Sequence, residues 1–265
     1  MTFFNSICYL WRLIAKGISF ACFGLGGFLI GSFLFQLYYF NWFKEENLYK
    51  VSRKVIAKSF GSFIYLMKYL GLITFEVQGL EKLQSKKPLV IIANHLTLID
   101  VVFLGFFAKN ANCIVKGALL RNPFTRPPIK ACGFLNNDSK TLISDAVACL
   151  NKGQKLIVFP EGTRTLPDKE IRFQRGAFHI ALQAKSDILP VFITCNPLTL
   201  GKANKWYQLG VTRSHFVFTV GDVLSIDAWL STNTPLAKRV RDLTRFTQSM
   251  YLDTRAPRII AKISN

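Results

Sequence analysis

The stretch PLVIIANHLTLIDVVFLGFFA, residues 88–108, predicts a buried strand that leads directly into a helix. Its first part is a short apolar run without polar alternation, which is typical of a strand covered on both faces. Its second part has the composition of a helix, with Asp100 in the first turns. His95, one of three histidines in the chain, lies between the two. It therefore follows the carboxyl end of a strand, where α/β sheets bind their ligands.

Strands and helices continue to alternate on both sides of this stretch, from about residue 72 onwards. Strands are predicted at 73–79, 88–94, 112–117, 155–161, 188–196 and 215–224, and helices near 98–108, 139–152, 175–186 and 235–253. This pattern predicts an α/β fold with a mixed, largely buried sheet covered by helices. About half of the 265 residues are apolar, so residues 72–265 can form one catalytic domain around a single core.

The first 71 residues have a different character and predict a membrane-anchoring helical segment. Residues 17–43 contain no charged side chain and end in Tyr38, Tyr39 and Trp42, as expected at a membrane interface. The run is long enough to cross a bilayer, but its glycines also allow a hairpin that enters and leaves by one face. A signal peptide is disfavoured, because the run is too long and no small-residue cleavage site closes it.

The distribution of basic residues around this run favours a cytoplasmic catalytic domain, on a bacterial inner membrane or its equivalent. The flank after the run, residues 44–58, has more Lys and Arg than the flank before it. Between residues 43 and 72, apolar residues recur at helical spacing opposite a basic face. This helix either lies on the membrane surface or packs on the core, and the sequence leaves both open. The net charge of +19 favours anionic partners such as membrane phospholipids.

The spacing of His95 and Asp100 is suited to proton transfer. A neutral imidazole at a strand end can take a proton from a hydroxyl if another group holds its second nitrogen. A carboxylate about a turn and a half along the chain can fold back to do this and stabilise the imidazolium. The same two residues are also compatible with a simple cap at a helix start.

A second polar cluster, VFPEGTRT at residues 158–165, also follows a predicted strand. Gly162 allows a tight turn, and Arg164 has a planar fork of donors that matches phosphate oxygens in pairs. The alternative is a charged surface turn, which would hardly need such an apolar strand before it. We therefore expect the two clusters, about sixty residues apart, to face one cleft.

Together, NHLTLID and FPEGTRT resemble the signatures N-H-x4-D and F-P-E-G-T-R-[ST] of the glycerolipid acyltransferases, typified by lysophosphatidic acid acyltransferase. Two further stretches are similar to other blocks of that family: KGALLRNP at 116–123 and ILPVFI at 188–193. The resemblance covers roughly residues 75–225. One departure concerns FLNND at 134–138, where the family often has an Asp-Arg pair and this chain has Asn137 and Asp138. This departure puts the identity of the acyl acceptor in doubt.

The resemblance implies a role for each site residue. His95 would be the general base and Asp100 the group that orients it. The block that binds the acceptor would be Glu161, Gly162, Thr163 and Arg164. Lys116 and Arg121 would be positive groups near the phosphate or the thioester oxygen.

The implied reaction transfers a fatty acyl group from a thioester, on coenzyme A or acyl carrier protein, to the hydroxyl of a lysophospholipid. The favoured acceptor is 1-acyl-glycerol-3-phosphate, which would give phosphatidic acid. No metal or cofactor is expected, and the six cysteines show no close pair of the metal-binding or disulfide type. Two alternatives are an acyltransferase with another acceptor, from a specialised lipid pathway, and a non-catalytic lipid-binding protein of the same fold. Nucleic acid is not an expected partner, because no nucleic-acid-binding motif is present. A serine hydrolase is also not expected, because its motif G-x-S-x-G is absent from the sequence.

Overall fold

The computed structural model describes residues 3–40, 44–166, 169–210 and 212–253. Two long helices come first, α1 (Phe3–Tyr39) and α2 (Glu45–Tyr69). The strands are β1 (Ile73–Gln78), β2 (Val90–Ala93), β3 (Asn112–Val115), β4 (Leu135–Asn136), β5 (Leu156–Val158), β6 (Ile188–Asn196) and β7 (Ser214–Val220). The other helices are α3 (Leu80–Gln84), α4 (Asp100–Phe107), α5 (Gly117–Arg121), α6 (Arg126–Ala131), α7 (Leu142–Asn151), α8 (Gly176–Ala184), α9 (Asp227–Leu230) and α10 (Leu236–Asp253).

The strands form one seven-stranded sheet in the order β1-β7-β6-β2-β5-β3-β4. Neighbouring strands are parallel except for β6 and β7, which are antiparallel. β2 is a central strand between β6 and β5, and all of its residues are buried. The predicted α/β fold with a mixed, largely buried sheet is therefore confirmed.

Helices cover both faces of the sheet, and each face has an apolar cluster. On one face, buried side chains of α2 and α4 meet those of β7: Ile64, Met67, Phe103, Phe216 and Phe218. On the other face, α8 and α10 pack against β2 and β5. There the hydroxyl of Tyr251 donates to the carbonyl of Ile92 at 2.6 Å and accepts from the N–H of Val191 at 3.2 Å. This residue ties α10 to the two strands nearest the predicted site.

The six predicted strands and the four predicted helices of this domain are all present, and several are shorter than predicted. The strand predicted at 155–161 ends at Val158, because the chain turns out of the sheet to form the polar loop that follows. β4, α3, α5, α6 and α9 are not predicted by the pattern. Each is too short to show a period in its apolar residues.

Helix α1 contains most of the uncharged N-terminal run and is one continuous helix of 37 residues. A hairpin within the run is therefore absent from its described part, while residues 41–43, which include Trp42, lie outside the described residues. The segment Ile7–Tyr39 is long and apolar enough to cross a membrane, and only 17% of its most apolar stretch is buried in the protein. By length and composition it satisfies the prediction of a membrane helix.

Helix α2 lies antiparallel to α1 and has its apolar face on the core. At one end of the pair, the indole nitrogen of Trp11 donates to the carbonyl of Leu70 at 3.3 Å. Near the middle of α2, Gly61 allows the ring of Phe106 on α4 to come so close that a Cβ would lie 2.5 Å from it. Of the two positions that the sequence left open for this helix, packing on the core is therefore the one that its apolar face adopts.

Candidate active site

The candidate site lies at the carboxyl ends of β2, β5 and β6, which are neighbours in the sheet. His95 follows β2, the segment 159–165 follows β5, and a loop of residues 197–213 follows β6. Parallel strands place these three chain segments at the same edge. The two polar clusters read from the sequence thus meet at one place.

His95 and Asp100 form a direct pair. The Nδ1 atom of His95 lies 3.0 Å from Oδ2 of Asp100, and the imidazole retains 20% of its exposure while the carboxylate is fully buried. Asp100 is the first residue of α4, so its side chain reaches back over the turn before the helix. A proton on Nδ1 faces the carboxylate, which leaves the lone pair of Nε2 for another proton. Nε2 has no hydrogen-bond partner among the described residues.

Four donors converge on the Asp100 carboxylate. Besides His95, the backbone N–H groups of Leu96 and Thr97 donate to Oδ2 at 2.7 and 2.8 Å. The hydroxyl of Thr97 donates to Oδ1. An ionised carboxylate only accepts hydrogen bonds, so this arrangement suits its charged form. No described side chain caps the start of α4, so the interpretation as a simple helix cap is wrong: the carboxylate binds His95 and the turn before the helix instead.

The second cluster is joined to His95 by backbone contacts. Oε1 of Glu161, a buried residue, accepts from the N–H of His95 at 2.7 Å. The N–H of Thr165 donates to the carbonyl of His95 at 2.8 Å. The ring of Phe159 stacks on the imidazole with centroids 4.4 Å apart. The first two contacts fix the backbone of His95, and the stacking on Phe159 limits the rotation of its imidazole.

Gly162, Thr163 and Arg164 form the turn that completes this cluster. Gly162 has φ +67°, a conformation that other residues adopt rarely. Thr163 is half-buried in the same turn. Nη1 of Arg164 donates to the carbonyls of Leu200 and Gly201 at 2.9 and 3.3 Å. The guanidinium is thus fixed by one nitrogen to the loop that follows β6.

Lys116 and Arg121 lie at the same edge of the sheet but farther from His95. Lys116 follows β3, which neighbours β5, and Arg121 ends the short helix α5; both side chains are exposed. Among the described residues, no hydrogen bond or ion pair joins either of them to His95. Asn137, at the position of the departure from the family pattern, accepts from the N–H of Gly117 at 2.9 Å.

Two contributions to the site have no clear signal in the sequence. Asn94 uses its side-chain amide to donate to the carbonyl of Ile193 at 2.9 Å and to accept from the N–H of Ile193 at 2.7 Å. This pair of bonds extends the junction of β2 and β6 just before His95. The second contribution is the carbonyl of Leu200, which accepts from Arg164 and is oriented by a backbone φ of +54°. A backbone carbonyl cannot be recognised from residue type.

Cys195 lies near this cluster, but its chemistry does not suit a nucleophile. Burial and, to a smaller degree, the charge of Asp100 raise its pKa to about 12. The thiol is therefore protonated at neutral pH and poorly reactive. In the described part of the chain, no three His, Cys, Asp or Glu side chains are grouped so that they could hold a metal ion.

A buried carboxylate that orients a histidine at the edge of an α/β sheet is an arrangement suited to general-base chemistry. Residues 74–194 match the Acyltransferase family. The resemblance seen in the sequence motifs is therefore confirmed for this part of the chain.

Several curated relatives share this region. The chain is 34% identical over 145 residues to a 1-acyl-sn-glycerol-3-phosphate acyltransferase of Saccharomyces cerevisiae, which covers 50% of this chain and 46% of the yeast protein. It is 30% identical over 135 residues to a protein of the same name from Pseudomonas aeruginosa, covering 48% of this chain and 52% of that protein. The chain thus spans about half the length of the curated relatives it matches.

A crystal structure shares the fold over nearly the whole chain. It is that of the 1-acyl-sn-glycerophosphate (LPA) acyltransferase from Thermotoga maritima, with a TM-score of 0.65 and 20% sequence identity. The match covers 93% of this chain and 97% of that one. The common architecture therefore extends beyond the region of clear sequence similarity.

Proposed function

We propose that this protein is a membrane-bound O-acyltransferase that moves a fatty acyl group from an acyl thioester to the hydroxyl of a lysophospholipid. The favoured acceptor is 1-acyl-glycerol-3-phosphate, and the product is phosphatidic acid. The observation that carries the proposal is the contact between His95 and the buried carboxylate of Asp100, 3.0 Å apart, beside Arg164 at one sheet edge. The names of the yeast and Pseudomonas aeruginosa relatives support the same acceptor.

The chemistry follows from the orientation of the imidazole. Nε2 of His95 takes the proton of the acceptor hydroxyl while the hydroxyl oxygen attacks the thioester carbon. The new C–O bond forms, the C–S bond breaks, and the leaving thiolate takes the proton back from the imidazolium. Asp100 stabilises that imidazolium, so a covalent acyl-enzyme is unnecessary. The protonated state of Cys195 agrees with direct transfer.

The positive side chains at this edge are suited to binding the anionic groups of the substrates. We assign Arg164, with Glu161, Gly162 and Thr163 shaping its turn, to the acceptor. Lys116 and Arg121 are assigned to the phosphate or the thioester oxygen. No metal or cofactor takes part in this scheme, and the donor is acyl-coenzyme A or acyl carrier protein.

Transfer of labelled acyl groups by the purified full-length protein tests the proposal. We expect labelled phosphatidic acid when lysophosphatidate is combined with at least one of the two donors. Because Asn137 and Asp138 depart from the family pattern, the assay should also include acceptors without a phosphate monoester, such as lysophosphatidylglycerol and monoacylglycerol. Labelled product from one of these alone would show a different acceptor. Absence of transfer with every pair would favour a lipid-binding protein.

Replacing Arg164 with lysine is expected to raise mainly the KM for lysophosphatidate. A single ammonium cannot keep the contact with Leu200 and also bind a phosphate in two places. Loss of a charge-assisted hydrogen bond, about 1.5 to 3 kcal/mol, corresponds to roughly 10- to 150-fold in kcat/KM. Kinetics at saturating donor and varied lysophosphatidate measure this. Arg172→Lys, a change at an exposed arginine paired with Glu170, is the matched control.

If the donor KM rose instead, Arg164 would contact the carrier of the acyl group and our placement of the two substrates would be reversed. If neither KM changed while thermal stability fell, the residue would serve only to hold the 197–213 loop.

Attachment to the membrane is supported by the surface of α1. Most of its exposed large apolar residues lie on one face along the helix, among them Ile7, Trp11, Ile14, Ile18, Leu25, Phe28, Leu29 and Phe33. A soluble protein rarely exposes an apolar surface of this extent. We infer that this face contacts lipid chains.

The contacts of α1 also indicate how it lies. Arg12 binds the 197–213 loop and Gly31 contacts Pro128 of α6, about 28 Å farther along the helix. If the helix crossed the bilayer upright, at least one of these two contacts would lie within the apolar layer or beyond it. We infer that α1 lies along the interface with its exposed face in the leaflet. Both flanks of the run then lie on the same side of the membrane, and their excess of Lys and Arg supports a cytoplasmic position for the catalytic domain.

Wild-type protein is expected to stay in the membrane fraction after a carbonate wash, because apolar insertion is not screened by salt. Leu25→Lys combined with Leu29→Lys should release it, since each lysine costs about 2.5 to 3.5 kcal/mol in the apolar layer. These leucines are 63% and 60% exposed, so the fold does not depend on them. The control pair, Phe246→Lys with Leu252→Lys on α10, should remain bound. Equal extraction of both pairs would refute the assignment of this face.

A further inference from the structure

The loop of residues 197–213 is far longer than its connection requires. It joins β6 and β7, which are antiparallel neighbours and could be linked by a turn of a few residues. Long loops in compact domains are usually functional. All of its residues except 211 lie in the described part of the chain. The sequence motifs assign no role to this loop.

The base of the loop is part of the candidate active site. The buried carbonyl of Leu200 accepts from the N–H of Leu98, in the segment after His95, at 3.0 Å. The same carbonyl accepts from Arg164 at 2.9 Å. The side chain of Asn204 accepts from the N–H of Gly201 at 3.1 Å and closes the turn above it. The loop is therefore hydrogen-bonded to both polar clusters of the candidate site.

The outer side of the loop is bound to α1. Lys16, which is 2% exposed, donates from Nζ to the carbonyl of Gln208 at 2.8 Å and to the hydroxyl of Thr199 at 3.3 Å. Nη2 of Arg12 donates to the carbonyl of Thr212 at 2.6 Å. The loop is thus held beside the helix whose apolar face we assign to the membrane.

The tip of the loop, residues 202–207, carries exposed basic and aromatic side chains. Lys202 and Lys205 are exposed, and Trp206 and Tyr207 are 54% and 44% exposed. The two rings meet edge to face at 5.7 Å, and Nζ of Lys205 lies 5.7 Å from the Tyr207 ring. Residues 197–213 contain no Asp or Glu. Lysines attract anionic headgroups, and Trp and Tyr prefer the boundary between headgroups and chains.

We propose that the tip of this loop is a second membrane contact, which lies in the headgroup layer of an anionic leaflet beside α1. The proposal rests on the membrane attachment in the proposed function. An acidic carrier protein would also be attracted to the lysines. The membrane is favoured because the adjacent Trp and Tyr are exposed and the loop is bound directly to α1. The contact would bring the surface where a lysophospholipid resides next to Leu200 and Arg164.

The test uses the full-length protein in vesicles of phosphatidylcholine, with and without phosphatidylglycerol, that contain lipids brominated near the headgroup end of their chains. Bromine quenches tryptophan on contact. The chain has four tryptophans, so the contribution of Trp206 is the part of the quenching that Trp206→Phe removes. We expect such a part to be present and to be larger in vesicles with phosphatidylglycerol.

Lys202→Gln combined with Lys205→Gln should reduce the Trp206 contribution at least about twofold in vesicles with phosphatidylglycerol. The matched control is Lys86→Gln with Lys87→Gln, an equal change of charge at exposed residues before β2, at the opposite end of the sheet from His95. The control pair should quench like the wild type.

Identical quenching of wild type and Trp206→Phe would overturn the proposal. A second result would also overturn it: no quenching by lipid, together with protection of Trp206 from acrylamide quenching when acyl carrier protein is added without vesicles. The tip would then be a surface that binds the carrier protein. The measurement needs no turnover. An inactive protein whose Trp206 is quenched would contradict the proposed function alone, and an active protein whose Trp206 is not quenched would contradict this inference alone.

Discussion

Replacing His95 with alanine is expected to lower acyl transfer by about 10²- to 10⁴-fold, the usual contribution of a general base. The fold should survive, because the contacts of Glu161 and Thr165 are made with the backbone of His95 and persist in alanine. The variant loses a mostly buried imidazole, its stacking on Phe159 and its contact with Asp100. Turnover of labelled acyl thioester, together with thermal unfolding followed by circular dichroism, separates the chemical effect from the structural one.

His215→Ala is the matched control for this experiment. His215 is exposed on β7, with Nδ1 2.8 Å from the hydroxyl of Thr74 and no contact with the candidate site. Its removal should leave transfer near the wild-type rate. Wild-type turnover in the His95 variant would exclude this residue as the base and leave the proposed mechanism without a proton acceptor.

The second large effect is expected for Asp100→Asn, which should reduce transfer by about 10³- to 10⁴-fold. Asparagine has a single acceptor oxygen for the four donors that meet the carboxylate, and its amide group would face the others as a donor. The imidazole would lose the partner that keeps the proton on Nδ1. Buried donors without partners should also lower the free energy of unfolding by about 2 to 4 kcal/mol.

A double variant distinguishes the chemical role of Asp100 from a purely structural one. If Asp100 acts through His95, then His95→Ala with Asp100→Asn should be hardly slower than His95→Ala alone. Multiplied losses in the double variant would show that Asp100 supports catalysis by another route. Asp222→Asn, at an exposed carboxylate paired with Lys82, is the control and should affect neither rate nor stability appreciably.

The assignments of His95 and its neighbours to particular steps remain predictions, and so does the division of the chain at residue 71. The structure shows that α2 contributes Phe63, Ile64 and Met67 to the same apolar cluster as β7. The N-terminal helices and the sheet therefore share a core. A boundary drawn from composition separates an apolar helix from a mixed domain, but composition does not report what the helix packs against.

Much of the local structure could be predicted because it depends on residues that are close in the chain. The apolar run before Asn94 marks a strand buried on both faces, since no polar side chain interrupts it. The contact of His95 with Asp100 is equally local: five residues and one helix start bring the groups together. The spacing of the motif therefore contains most of the geometry of the pair.

The remaining features depend on contacts between distant segments, which periodicity does not specify. The carboxylate of Glu161 reaches the N–H of His95 only because β5 lies beside β2. The carbonyl of Leu200 accepts from Arg164 because β6 lies on the other side of β2 and its loop folds over the edge. In the same way, the sequence shows α1 to be apolar, but only packing divides it into a buried face and an exposed one. An apolar pattern states that a surface must be buried; which partner buries it depends on strand order and on the arrangement of helices around the sheet.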